Sequence, residues 1–416
     1  MKLHLPTFWK HVITVLGGAL GAQALPLLAA PMITRMCTPT DMGAFSLWLA
    51  VVAVAAIGAT LRMETAMILD NEVEQQRTCF GVVLYTATIT ALLVTGLAVA
   101  AHILDVPAVR QLSWPALLTV GVGTWLTANM QTTLAYATSH NAFGKAARAK
   151  VWGAGTIAVA QLLLLASGVG GLALLTGQLI GLTIGLLAAR RLLRPPPARA
   201  GLSLGVEARA YLVRHRNFWR FALPSNLLNN MVGQLPLFLI GMRHGALAAG
   251  LFALTQRVLA APISLLAASV LEVFKRQSVQ EFQADGHCKQ AYRYTFKVLM
   301  LLGLAPSLVL LLFSPQLFAW VFGPAWREAG ELAQILAPLY FLNFVASPLS
   351  YVFFVTGKQN VDFWWQLTLF ATTVAAFVIP GTLHENVRWY AIGYSTLYLV
   401  YLRMSWQCSQ NRLAAA

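Results

Sequence analysis

The sequence predicts an all-α polytopic membrane protein with about twelve transmembrane helices. Of its 416 residues, 58% are hydrophobic and only 10% are charged, whereas a soluble domain carries about 25% charged residues. The apolar residues form repeated stretches of about 20 residues, without the alternating polarity that marks the strands of a membrane β-barrel. The hydrocarbon core of a bilayer offers the backbone no hydrogen-bond partners, so stretches of this kind must be helical.

A polar segment at 194–217, which contains three consecutive prolines from Pro195, divides the predicted spans equally. We therefore predict an N-terminal bundle at 1–193, a linker at 194–217 and a C-terminal bundle at 218–416. Each apolar stretch of sufficient length predicts one spanning helix. The predicted spans are 12–33, 43–69, 79–103, 114–138, 148–167, 171–193, 218–241, 247–272, 296–313, 331–355, 363–382 and 387–408.

The distribution of basic residues predicts the orientation of these spans. Most of the 29 Lys and Arg residues fall in the connections on the side of the two termini. Basic residues accumulate on the cytoplasmic side of a membrane, so we expect both termini in the cytoplasm. The opposite connections carry only Arg35, Arg110, Arg243, Arg327 and Arg388.

Short motifs recur in the two halves at offsets close to half the chain length. Gln23-Ala24-Leu25-Pro26 parallels Gln234-Leu235-Pro236, and Gly43-Ala44-Phe45 parallels Gly250-Leu251-Phe252. With equal numbers of spans, the two bundles would be pseudo-symmetric and keep the same orientation in the membrane. This arrangement favours a carrier that works by alternating access over a channel or an enzyme.

Charged side chains inside spans are costly and mark candidate functional sites. Span two carries Arg62 and Glu64, and span eight carries Arg257. In a continuous helix, residues two apart point to different sides, so Arg62 and Glu64 are not expected to pair. For Arg62 the sequence leaves a functional and a structural role equally open. Arg257 has no acidic residue near it in its span, which favours a place in a water-filled cavity.

Amide side chains are unusually frequent in span seven and occur in three other spans. They would either join helices by hydrogen bonds or line a path for a hydroxyl-rich substrate, and the sequence leaves both explanations open. Pro26 and Pro236 interrupt spans one and seven and are candidate hinges, because a proline frees a carbonyl group and permits a bend. The amide candidates are Gln23, Asn129, Asn226, Asn229, Asn230, Gln234 and Gln256.

The sequence contains no catalytic or metal-binding pattern. Its four cysteines are scattered without a CxxC pair, and it lacks a phosphate-binding P-loop and a hydrolase serine motif. We therefore expect no enzymatic activity, no metal and no cofactor beyond a coupling proton or sodium ion. The net charge of +15 does not indicate nucleic-acid binding, since the basic residues lie between apolar spans rather than on one soluble face.

Several segments carry a resemblance to a known family. They are Leu16–Pro26, Pro31–Arg35, Thr38–Gly43, Arg62–Glu64, Leu223–Pro236, Ala249–Leu259 and Phe322–Gly330. Together they resemble Wzx-type polysaccharide-biosynthesis flippases. That family belongs to the MOP superfamily, which also contains the multidrug (MATE) exporters and the lipid II flippase MurJ.

The resemblance implies two six-helix bundles around a V-shaped cavity. It also implies translocation of an undecaprenyl-pyrophosphate-linked oligosaccharide, a repeat unit of O-antigen, capsule or exopolysaccharide, across the bacterial inner membrane. The implied partners are this glycan, membrane lipids, and polysaccharide polymerase and chain-length proteins. Arg62 and Arg257, with Arg35 as a weaker candidate, would contact the pyrophosphate or anionic sugars. Glu64 would carry the coupling ion or balance charge.

The nearest alternative is an ion-coupled multidrug exporter of the same fold. Such an exporter would need acidic residues in its cavity to bind cationic drugs, whereas the spans of this chain offer mainly arginine. A membrane-embedded glycosyltransferase or polysaccharide polymerase would need large periplasmic loops. The predicted periplasmic connections are short, which disfavours both.

Overall fold

The computed structural model describes residues 21, 24–70, 72–106, 112–198, 205–262 and 266–410. Within these ranges all regular secondary structure is helical. Seven helices of the described part are long and apolar enough to cross a membrane by length and composition, and two shorter ones, Ala24–Met36 and Trp364–Val378, are also apolar. The chain is therefore an all-α, multi-pass membrane protein, as predicted.

Packing divides the chain into two compact units, Met1–Gly250 and Leu251–Ala416. The predicted limits at 193 and 218, which follow from the polar segment 194–217, stay a prediction. In the first unit, α5 packs against α2, α4 and α7, while α6 packs along α7. The helices that begin in this unit are α1 (Ala24–Met36), α2 (Pro39–Thr60), α3 (Met63–Ala66), α4 (Val73–Ile103), α5 (Trp114–Ser139), α6 (Phe143–Ala166), α7 (Leu172–Leu193), α8 (Val206–Arg214) and α9 (Leu223–Pro262).

In the second unit, α11 packs along α12, and α15 packs against both α12 and α14. Tyrosines of α15 fill this packing; for example, the Tyr390 and Tyr394 ring centroids lie 4.3 Å apart. The helices of this unit after α9 are α10 (Ala268–Asp285), α11 (Lys289–Phe322), α12 (Arg327–Leu349), α13 (Val352–Val355), α14 (Gln359–Val378) and α15 (Leu383–Ser409).

Span two differs from its prediction at both ends. Helix α2 begins at Pro39, before the predicted start at 43, because Thr38 and Asp41 form a capping box in which each side chain accepts from the backbone N–H of the other. It ends at Thr60, since Leu61 (φ 49°) and Arg62 (φ 61°) are both left-handed. This conformation costs a non-glycine residue about 1–2 kcal/mol. The prediction of one continuous helix through 43–69 was wrong.

Predicted spans seven and eight are the two parts of α9, which meet at a sharp break. The backbone departs from helical angles at Gly245 (φ 90°, ψ 176°), a conformation that glycine adopts without steric penalty. The break lies within the connection predicted at 242–246. Pro236 lies inside the first part of α9 and is buried there.

The beginning of α2 crosses the second part of α9 in direct backbone contact. A Cβ atom on Gly43 would overlap the carbonyl oxygen of Ala246, and one on Gly250 would overlap the carbonyl oxygen of Pro39. Ala246 lies one helical turn before Gly250, and Pro39 lies one helical turn before Gly43. The two glycines therefore make equivalent contacts in the crossing. Gly43 and Gly250 are the two glycines that the sequence repeat matches, and glycine permits helices to approach this closely.

Candidate functional site

Arg62 and Glu64 form an ion pair in the first unit. The Arg62 Nη1 atom lies 2.9 Å from Glu64 Oε1, and the two side chains are 27% and 9% exposed. The expectation that these residues would not pair was wrong, because it assumed a continuous helix, and the left-handed turn at Leu61 and Arg62 brings their side chains together. The charge of Arg62 is therefore compensated.

The ion pair is only partly satisfied by the surrounding protein. The Thr65 hydroxyl donates to Glu64 Oε1 at 3.3 Å. Within the described residues, Glu64 Oε2 and Arg62 Nε are buried without a hydrogen-bond partner. One carboxylate oxygen and one guanidinium N–H thus have unused bonding capacity, which a proton, a cation or an anion would satisfy.

Arg257 is in a different situation in the second unit. Its side chain is exposed, and no carboxylate pairs with it among the residues that the structure describes. The preceding residue, Gln256, is half-buried. Arg257 is therefore an uncompensated cation in a membrane-spanning helix, which is a rare and usually functional feature.

The amides of the first part of α9 lie in the first unit, and two of them donate to carbonyl groups one turn earlier in the chain. Asn226 Nδ2 donates to the carbonyl oxygen of Ala222 at 2.8 Å, and Asn230 Nδ2 donates to that of Asn226 at 3.1 Å. Asn226, Asn230 and Gln234 are four residues apart and share one face of the helix, while Asn229 is exposed. These donor groups do not join α9 to another helix, so the lining of a polar path stays a prediction for this face.

Asn129 is buried in α5 and has partners at both ends of its amide group. Its Nδ2 atom donates to the carbonyl oxygen of Trp125 at 2.9 Å, and its Oδ1 atom accepts from Arg190 at 3.3 Å. Arg190 was not singled out in the sequence, since it lies near the end of span six among other basic residues. Its bond to Asn129 links α5 to α7.

The remaining candidates are placed as follows. Arg35 is exposed at the end of α1, and Pro26 lies inside the same helix. Gln23 lies outside the described residues. The hinge roles of Pro26 and Pro236 stay predictions, and the sharp bend of α9 falls at Gly245 instead.

Sequence reasoning missed a polar cluster that attaches the linker helix α8 to the first bundle. The Tyr211 hydroxyl donates to Asp70 Oδ2 at 2.6 Å, and His215 Nε2 lies 3.3 Å from Asp70 Oδ1. Gln76 Nε2 donates to the Asp70 carbonyl oxygen at 3.0 Å. Burial, with Cys79 and the bonded Asp70 adding to it, raises the pKa of Tyr211, so its O–H stays a donor. The available sequence signal was the spacing of Tyr211 and His215, which places both on one face of a short helix.

Three side chains with metal-ligand atoms lie together after α10. The ligand atoms of Glu281, Asp285 and His287 are all within 4.8 Å of one another. The Glu281 carboxylate, however, accepts the backbone N–H groups of Gln290 and Ala291 at 2.8 and 2.7 Å. Glu281 therefore serves as a cap for the first turn of α11.

The fold is similar to that of solved structures from the MOP superfamily of membrane transporters. An inward-facing multidrug resistance transporter of the MATE family matches with a TM-score of 0.69 at 16% identity, over 94% of this chain and 95% of that one. The lipid II flippase MurJ in an inward closed conformation matches with a TM-score of 0.74 at 11% identity, over 97% and 91%. At these identities the similarity shows the fold alone.

Comparison of the sequence with protein families identifies the family of this chain. Residues 32–331 match the family described as polysaccharide biosynthesis protein, and the chain belongs to this family. The teichuronic acid biosynthesis protein TuaB of Bacillus subtilis (strain 168) is 26% identical over 180 residues, which is 42% of this chain and 37% of TuaB. The amylovoran biosynthesis protein AmsL of Erwinia amylovora is 22% identical over 183 residues, 43% and 45%. The match thus spans less than half of each relative.

Proposed function

We propose that this protein is a flippase that moves lipid-linked oligosaccharides across the bacterial inner membrane. Its substrate would be an undecaprenyl-pyrophosphate-linked repeat unit of a surface polysaccharide. The observation that carries this proposal is the match of residues 32–331 to the polysaccharide biosynthesis family. The fold shared with the lipid II flippase MurJ supports it.

The charge of the intramembrane residues fits a phosphate-bearing substrate. A pyrophosphate is at least dianionic, and its transfer through hydrocarbon would be prohibitive without cationic partners. Arg257 supplies a guanidinium group without a counterion among the described residues, and guanidinium binds phosphate through two parallel hydrogen bonds. Amides such as Asn226 and Asn230 would meet sugar hydroxyls, with Asn229, Gln234, Gln256, Asn129 and Gln23 as the other candidates.

The Arg62–Glu64 ion pair suggests how an ion would be coupled to substrate binding. With Glu64 ionised, Arg62 is neutralised at 2.9 Å. Uptake of a proton or sodium ion at Glu64 would free the Arg62 guanidinium to contact phosphate. Arg62 and Glu64 would then act as one switch, and Arg257 as the permanent cation.

The proposed function also includes an orientation of the chain in the membrane and a set of partner proteins. Both termini would lie in the cytoplasm, as the distribution of basic residues predicts. The protein would act as a carrier without catalytic chemistry. It would deliver repeat units to polysaccharide polymerase and chain-length proteins, because those units are assembled on the cytoplasmic side and extended outside.

Drug export is the second candidate function, and the likeness to a MATE family transporter supports it at the level of the fold. A cavity for cationic drugs requires uncompensated carboxylates. The uncompensated charge observed in a described span is instead that of Arg257. Because the charge of Arg257 is positive, it favours an anionic substrate over a cationic drug.

Deletion of the gene tests the proposal. We expect lipid-linked repeat units to accumulate in the cytoplasmic leaflet and the surface glycan to disappear, with both restored by the gene on a plasmid. Unchanged glycan together with increased drug sensitivity would instead support the exporter.

Substitution of Arg257 tests the site. We expect Arg257→Ala to lose glycan display in complementation, because a pyrophosphate would then lack its cationic partner, and Arg257→Lys to restore part of it. The matched control is Arg276→Ala on α10, where the side chain is exposed, and it should complement fully. Full complementation by Arg257→Ala at normal protein levels would remove the support for this site.

A further inference from the structure

The first unit contains a cavity of about 290 Å³ between α4, α5 and α7. It lies beside the buried amide of Asn129 and the guanidinium of Arg190, and the proline segment that follows α7 covers it. Apart from Asn129, the residues that line this cavity have no part in the proposed function. Its lining residues are Phe80, Leu84, Trp125, Asn129, Arg190, Pro195, Pro196, Pro197 and Ala198.

Two of the residues that line the cavity, Trp125 and Asn129, lie on one stripe of α5. Leu118, Val122, Trp125 and Asn129 follow one another at helical spacing and form a single stripe. Leu118 and Val122 are 56% and 50% exposed. In a membrane-spanning helix, an exposed stripe of this composition faces acyl chains.

The opposite side of α5 carries three polar residues. Thr127 and Gln131 are half-buried, and Thr138 is exposed. These residues lie about half a helical turn away from the Leu118 stripe. The cavity at Asn129 therefore lies on the same side of α5 as the exposed apolar residues Leu118 and Val122.

The guanidinium group of Arg190 gives the cavity a positive charge. Arg190 Nη2 donates to Asn129 Oδ1 at 3.3 Å, and no acidic residue is among those that line the cavity. An amide oxygen does not neutralise a guanidinium, so Arg190 retains donors and a full charge for an anion.

We propose that this cavity binds the phosphate of an anionic phospholipid of the bilayer, with Arg190 as its cation and with one acyl chain lying along Leu118 and Val122. Basic pockets between membrane helices on the cytoplasmic side typically bind such headgroups. The residues proposed to contact the transported pyrophosphate, Arg62 and Arg257, do not line this cavity, so the lipid is distinct from the transported substrate. Its role is to hold the end of α7, and the linker that starts there, against α4 and α5.

The test uses the purified full-length protein in detergent. Phosphatidylglycerol should raise the temperature of thermal unfolding, and phosphatidylcholine with the same acyl chains should not. Arg190→Gln should require roughly tenfold more phosphatidylglycerol for the same shift, as expected for loss of one charge-assisted contact. Arg191→Gln is the matched control, because Arg191 is exposed on the same turn and does not line the cavity, and it should respond like the wild type.

A second variant tests the cavity independently of the charge. Leu84→Trp would fill the space while leaving Arg190 in place, and it should weaken the phosphatidylglycerol response as Arg190→Gln does. An equal response of both variants and the wild type would overturn the proposal, as would an equal effect of phosphatidylcholine. A shift of the same size with inorganic phosphate alone would also overturn it, since the site would then bind a free anion.

Discussion

At the scale of single residues, the structure shows how local backbone geometry decides which charges are free. Arg62 and Glu64 were both recognised in the sequence as candidates, but their pairing depends on left-handed angles at Leu61 and Arg62. No sequence signal marks these angles, because glycine and asparagine are the residues that usually adopt them. Arg257 has no counterion among the described residues, in keeping with the absence of nearby acidic residues in its span.

A double-mutant cycle tests the coupling of Arg62 and Glu64. We expect Arg62→Gln and Glu64→Gln each to lower the free energy of unfolding, because each leaves one largely buried charge unpaired. The double variant should be less destabilised than the sum of the two, with an interaction energy of roughly 1–3 kcal/mol. The measurement is equilibrium unfolding in detergent. Additive effects would show that the two residues are not coupled.

At the scale of secondary-structure elements, two contacts organise the first unit. The crossing of α2 with α9 depends on Gly43 and Gly250, and the attachment of α8 depends on Asp70 and Tyr211. The sequence repeat identified both glycines but not their contact, because a shared motif does not say which copies meet. The attachment of α8 was not predicted, since it joins residues far apart in sequence.

The crossing predicts a strong effect of a very small substitution. Gly43→Ala should lower the free energy of unfolding by about 2 kcal/mol or more, since the added Cβ overlaps the backbone carbonyl of Ala246, which no rotamer change can relieve. Gly58→Ala in the same helix is the control. A Cβ on Gly58 meets nothing within 4 Å, and the change should be neutral or stabilising. Equal stability of the two variants would contradict the close crossing.

The attachment of α8 predicts a change in protease sensitivity. Tyr211→Phe removes the donor to Asp70, and it should speed tryptic cleavage at Arg209 and Arg214 several-fold by releasing the helix. Val213→Ala, at a position that is 66% exposed, should leave the cleavage rate unchanged. An unchanged rate in Tyr211→Phe would mean that apolar packing alone holds the helix.

At the scale of the whole molecule, the sequence predicted the fold class and most helices, because a membrane span depends on hydrophobicity over about 20 residues. Predicted spans 114–138 and 171–193 match Trp114–Ser139 and Leu172–Leu193 within one residue at each end. The break of α9 at Gly245 lies in the predicted connection at 242–246. The break of span two was not predictable, because it depends on the backbone angles of Leu61 and Arg62. The pairing of Arg62 with Glu64 was not predictable for the same reason.

The most direct measurement of the proposed function is translocation in proteoliposomes that contain the purified protein and a labelled undecaprenyl-pyrophosphate oligosaccharide. Wild-type protein should move the glycan between leaflets, detected as a loss of protection from an added glycosidase. Arg257→Ala should be at least roughly tenfold slower, with Arg257→Lys in between. Transfer by wild-type protein that is no faster than in protein-free liposomes would contradict the account.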